Sequence, residues 1–260
     1  MAEAAAIAPS RRGQTFERAL LLSVVLAAAL AVAAGADARY GPLRLIGVGF
    51  GATLEGLRFG FAGPWRARIL RLEPGGLLAQ LLAVALVAVV AIPLLERNGA
   101  GLVGAHSQVG FAMLGGAFVF GAAMQVVLGC GSGTLVNAGS GNPVGLLALP
   151  FFAVGSFAGA YNFVWWTELG SAPVVVLDGT DGLLLTLGAL AVVALLVLRF
   201  AAPSTRRLPG RLRVSAGLVA ALAIANLVVA SQPRGVVYGL GLWAGKGAQL
   251  LGADLSASAF

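Results

Sequence analysis

The chain has 260 residues, 59% of them hydrophobic and only 10% charged, with a formal net charge of +7. A soluble domain is about one-quarter charged, so this composition excludes one and points to an all-α, polytopic integral membrane protein. The positive balance does not imply nucleic acid, because the arginines cluster beside apolar runs, and the single cysteine excludes an internal disulfide.

Residues 1–18 carry Arg11, Arg12 and Arg18 and read as a cytoplasmic N-terminal segment ahead of a membrane domain at 19–260. The apolar run 19–36 ends near the small residues AGADA, a layout shared with secretory signals. It is long for one, and the rest of the chain inserts in a membrane anyway, so it reads as an uncleaved first span. Further spans of about 20 apolar residues are expected at 76–95, 110–128, 143–166, 182–200 and 214–230. Two more segments, 43–63 and 235–253, are apolar but interrupted by Arg58 and Lys246. Residues 43–63 must also cross if the arginine clusters at 66–71 and 199–213 are to share the cytoplasmic side with the N-terminus. The opposite connections carry Asp37, Glu96, Glu168, Asp178 and Asp181, so the acidic stretch 168–181 reads as an external loop.

Glycines recur at four-residue spacing: Gly47/Gly51, Gly56/Gly60, Gly155/Gly159, Gly235/Gly239 and Gly241/Gly245. Such pairs let helix backbones approach in lipid and predict a tight bundle, although a chain with 38 glycines also produces some by chance. The segments GFGATLEGLRFGFAG and VFGAAMQVVLGCGSG echo one another, as broken helices do in the repeats of transporters.

The stretch GCGSGTLVNAGSGNP, residues 129–143, interrupts two apolar spans and holds the only cysteine. Gly129, Gly131 and Gly133 disfavour a continuous helix. Ser132 and Thr134 can cap a short new one at 134–138, and Pro143 suits the first turn of the next span. The expected pattern is a re-entrant half-helix between two breaks, tolerated at membrane depth only when buried or lining a polar cavity. Its N-terminus would offer free amides to an anion, with Cys130 beside them. The alternative is an ordinary tight turn around a buried, inert cysteine. No Lys-Ser/Thr follows the glycines, so the stretch is not a nucleotide P-loop.

Intramembrane charge is the second candidate feature. Glu55 and Arg58 are three apart, share a helix face and can pair or face a cavity. Lys246 either snorkels or neutralises a substrate anion. His106 is expected at an external span end, and Tyr161, Trp165 and Trp166 form an interfacial belt. One histidine and one cysteine supply neither a metal cluster nor a Ser–His–Asp set, so neither an enzyme nor a cofactor is expected.

The block FVFGAAMQVVLGCGSGTLVNAGSGNPVGLLALPFFAVGSFAGA resembles the first conserved block of the YeeE/YedE sulfur-transport family, which includes thiosulfate-uptake permeases. LRFGFAGPWR and RGVVYGLGLWAGKGAQLLG are similar to the segment before that block and to the linker after it. The resemblance spans roughly 43–260, with a first repeat at about 43–166 and linker helices at about 182–260. It implies a bacterial inner-membrane protein that imports thiosulfate or a related small sulfur anion. It also implies a substrate site at Cys130 with Gly129, Gly131, Ser132, Gly133 and Thr134. A second glycine–cysteine block expected after the linker does not occur in these 260 residues. The expected partners are therefore the sulfur anion, the bilayer, and a second half, another copy or a cytoplasmic sulfur-carrier protein. A channel for another solute and an inactive or partial scaffold are the other readings.

Overall fold

The computed structural model describes residues 39–98, 101–105, 108–202, 206, 208–233, 235–253 and 255, together with Ser23, Val24, Ala27 and Ala31. The N-terminal arginines, most of the run 19–36 and His106 lie outside the described residues. The chain divides into two units, Met1–Val48 and Gly49–Phe260. Helix α1 (Tyr40–Gly56) begins in the first and ends in the second. The second unit continues with α2 (Ala62–Arg71), α3 (Gly75–Arg97), α4 (Phe111–Val127), α5 (Gly131–Gly139), α6 (Pro143–Tyr161), α7 (Phe163–Glu168), α8 (Gly179–Arg199), α9 (Gly210–Ala230) and α10 (Val236–Leu250). No strand occurs among the described residues; one isolated bridge ties Gly110 to Ser171.

The protein is all-α and multi-pass. Gly75–Arg97, Phe111–Gly139, Pro143–Tyr161, Gly179–Arg199 and Gly210–Ala230 are long and apolar enough to cross a membrane. The expected spans at 76–95, 110–128, 182–200 and 214–230 therefore appear within a few residues of their bounds. The expected span 143–166 stops at Tyr161. Asn162 caps that helix and starts the short α7, which carries Trp165 and Trp166 edge to face at 4.4 Å.

The segment 43–63 departs further from expectation. Its helix starts earlier, at Tyr40, and stops at Gly56. Phe59 N–H then bonds the Leu54 carbonyl at 2.9 Å, and Arg58 N–H bonds that of Glu55 at 3.2 Å. This paired closure is a Schellman cap with Arg58 in its left-handed position, φ 50°. The usual hydrophobic contact completes the cap: Phe59 is buried in a core with Ala79, Ala83 and Ala216, and Leu54 packs on that core.

Two packed groups result. Helix α3 lies between α8 and α9 and carries α2, while α6 packs against α5 and α10. Alanines rather than glycines make the first closely packed. Ala79 and Ala83 on α3, and Ala216 and Ala220 on α9, are buried at four-residue spacing. Of the glycine pairs, Gly47, Gly51, Gly56, Gly60, Gly155, Gly159 and Gly239 leave open space where a Cβ would stand, whereas Gly241 and Gly245 are buried. In the second group, Ser156 Oγ on α6 donates to the Val237 carbonyl of α10 at 2.8 Å, a polar clasp between the two helices.

Helix α6 begins at Pro143, as expected, and adds a cap that the sequence reading did not name. Pro143 occupies its first turn, and the Asn142 carboxamide oxygen accepts from Val144 N–H at 2.9 Å and Gly145 N–H at 3.4 Å. Asn142→Ala is expected to lower stability by about 1 kcal/mol, read as an earlier thermal unfolding in detergent. Asn142→Asp, which keeps the acceptor, is expected to recover most of it.

Candidate functional site

The break between α4 and α5 is built by three residues in sequence. Leu128 turns left-handed, φ 57°, and ends α4. Gly129 is buried against the start of α5; a Cβ there would lie 2.8 Å from the Thr134 nitrogen and 3.0 Å from its Oγ1. Cys130 is then extended and is itself the N-cap. The half-helix thus starts at Gly131 rather than at Thr134, and neither Ser132 nor Thr134 is its cap. Thr134 instead closes the first helical bond, donating its N–H to the Cys130 carbonyl at 2.7 Å, with its side chain buried.

This arrangement leaves the first-turn amides of Gly131, Ser132 and Gly133 without helical acceptors. The Cys130 side chain makes no capping hydrogen bond. Its sulfur lies 3.6 Å from the point where a Cβ on Gly133 would stand, so the thiol sits over the helix end. Positive dipole, free amides and a thiol converge there.

Asn137 holds the half-helix at both ends. Its Nδ2 donates to the Leu128 carbonyl at 3.3 Å, across the first break. Its backbone carbonyl accepts from Ser140 Oγ at 3.0 Å and Asn142 N–H at 2.9 Å, across the second. Gly145 fits closely against this joint: a Cβ there would lie 2.7 Å from Asn137 Cβ.

A cavity of about 540 Å³ opens at the half-helix, within the size range of small-molecule sites. Gly129, Cys130, Ser132, Gly133, Val136, Asn137 and Ser140 form one wall. Phe50, Leu54, Glu55, Arg58 and the turn through Phe59, Gly60 and Phe61 form another, with the start of α2, Gln80 of α3 and Val219 of α9 completing it. The two sequence candidates, the Gly-Cys stretch and the Glu55/Arg58 charges, therefore meet in one cavity.

Their relation differs from the one expected. Arg58 lies beyond the end of α1, so the two do not share a helix face, and no ion pair joins them. The other candidates lie elsewhere. Gly131 faces Val237 of α10 and Phe152 of α6, Thr134 is buried beside Gly129, and Lys246 on α10 is exposed and does not line the cavity.

Gln80 is a cavity residue that sequence reasoning missed. Its Nε2 donates to the carbonyls of Gly60 at 2.9 Å and Phe61 at 3.3 Å, fixing the wall that follows Arg58. Its Oε1 is buried without a hydrogen-bond partner. A lone amide in the long apolar run of α3 was the available signal.

A family model described as sulphur transport matches residues 58–256. The chain belongs to the sulphur transport family. The match starts at Arg58 and takes in every cavity-lining residue except Phe50, Leu54 and Glu55. No curated protein and no solved structure matches the chain. Family membership and the apolar helices together support a role in sulfur transport across a membrane. The match therefore includes Arg58, Cys130, Ser132 and Gly133 of the cavity wall.

Proposed function

We propose that this chain imports thiosulfate, or a closely related small sulfur anion, across the bacterial inner membrane, with its N-terminus in the cytoplasm. The cavity at the half-helix is the substrate site. One observation carries the reading: Arg58, Cys130, Ser132 and Gly133 line one cavity in a member of the sulphur transport family. Residues 43–166 are then the substrate-bearing repeat, and 182–260 supply linker helices.

The chemistry follows from the groups present. An anion leaving water needs replacement donors, and charge-assisted bonds are the strong ones. The guanidinium of Arg58 and the amides of Ser132 and Gly133 suit the oxygens of thiosulfate. The terminal sulfur is a soft acceptor, and the Cys130 thiol is a weak donor of matching softness. Leu54, Phe59, Val136 and Val219 supply apolar walls beside these groups.

Uptake of radiolabelled thiosulfate by cells expressing the chain tests this reading. The wild type is expected to accumulate label, and Cys130→Ala to slow accumulation by about tenfold at equal membrane abundance. Equal uptake by both proteins would sink the role of Cys130. An abundant wild-type protein with no uptake would sink transport by this chain.

A further inference from the structure

The cavity assigned to the anion also holds a carboxylate, which binding an anion does not require. Glu55 lines it together with Arg58, Cys130 and Ser132, and no ion pair links Glu55 to Arg58. The left-handed turn at residue 58 removes the arginine from the helix position where the two would pair. Among the cavity-lining residues from α1, the following turn, α2, α3, α5 and α9, Arg58 is the other charged group and Cys130 the other titratable one.

Charge arithmetic makes this combination informative. The empty cavity holds one positive and one negative side chain. A dianion entering it meets Arg58 and the half-helix amides, but also an ionised Glu55. Glu55 is exposed at the cavity wall, and like charges lining one cavity oppose one another. A proton on Glu55 removes the repulsion and turns the carboxylate into a donor toward the incoming anion.

We infer that Glu55 is a proton-binding site coupled to the anion, so that one proton enters the cavity with each sulfur anion. This rests on the proposed reading of the cavity and adds the ion that reading lacks. Coupling is reciprocal: acid promotes anion binding, and the anion promotes proton uptake. The protonated site binds better, so affinity is highest at acid pH and falls as pH rises. Thiosulfate is a dianion throughout the neutral and mildly acid range, so the dependence belongs to the protein. A proton gradient directed inward would then drive import.

Titration calorimetry of thiosulfate into the purified full-length chain tests the inference. In buffers of different ionisation enthalpy, it counts the protons taken up per anion. The expected result is uptake approaching one proton, with affinity falling by up to about tenfold per pH unit in the coupled range. Glu55→Gln, a neutral isostere, is expected to abolish both proton uptake and pH dependence. Wild-type binding with no proton uptake, or a Glu55→Gln protein that keeps the wild-type dependence, overturns the inference and leaves the anion site standing. Absence of thiosulfate binding at every pH overturns both. The proton count uses the wild type, so it decides the matter even if the variant does not fold.

Discussion

Arg58→Gly is expected to weaken thiosulfate binding by about tenfold or more while leaving the fold as stable as the wild type, or about 1 kcal/mol more stable. The two effects have opposite signs because two properties of residue 58 conflict. Its backbone is the left-handed closing position of a Schellman cap, φ 50°, where glycine is the usual occupant and an L side chain costs about 1 kcal/mol. Its side chain lines the cavity opposite the half-helix. A charged hydrogen bond contributes about 1.5–3 kcal/mol, so losing the guanidinium outweighs in binding what the turn gains in folding. Thermal unfolding in detergent reads the first effect and thiosulfate titration the second. Arg58→Lys keeps the charge but not the planar fork, and an intermediate affinity is expected. Unchanged affinity in Arg58→Gly would remove the arginine from the site. Stability lost in step with affinity would mean that Arg58 serves the turn rather than the anion.

Much of the fold was legible because lipid is an undemanding reader of sequence. Long runs without charge have few alternatives to a spanning helix, and α3, α4, α8 and α9 follow from length and composition. Pro143 at the start of α6 was equally plain, since proline favours the first helical turn, whereas the Asn142 cap before it was not read from the sequence. Nor was the cap of α5. Ser132 and Thr134 have the preferred capping side chains, yet Cys130 holds the position because left-handed Leu128 delivers it in extended form. A leucine gives no notice of φ 57°. Arg58 hid the end of α1 in the same way, by standing where a glycine would have announced a stop.

Close packing was sought among the glycines, whereas the pairs Ala79/Ala83 and Ala216/Ala220 supply it where α3 meets α9. Alanine is common enough in an apolar chain that its four-residue spacing passes unnoticed. The Gly-Cys stretch and the Glu55/Arg58 charges read in the sequence as two separate features, not as parts of one cavity. Nothing local to Glu55 and Arg58 points to a half-helix far along the chain. Their meeting depends on the α1 turn, pinned by Gln80, facing a half-helix clamped by Asn137.

The half-helix joint should be the least forgiving point in the site. Gly129→Ala is expected to destabilise the chain by about 3 kcal/mol and to abolish thiosulfate uptake. The added methyl would lie 2.8 Å from the Thr134 nitrogen and 3.0 Å from the Gly133 carbonyl carbon. Both are backbone atoms, so no rotamer change relieves the contact. The Thr134 nitrogen is also committed to the Cys130 carbonyl at 2.7 Å, the bond that starts α5. Making room therefore moves the helix start, and with it the amides and thiol that face the cavity. Gly133→Ala is the informative contrast. Its Cβ would stand 3.6 Å from the Cys130 sulfur, an ordinary contact, and alanine within a helix is favoured over glycine by about 1 kcal/mol. That variant is expected to fold at least as well as the wild type yet to bind thiosulfate more weakly, because the methyl crowds the thiol and the helix end. If Gly129→Ala were stable and transported normally, the tight joint would not be what positions the site. If Gly133→Ala bound thiosulfate as well as the wild type, the anion would not lie over the start of α5.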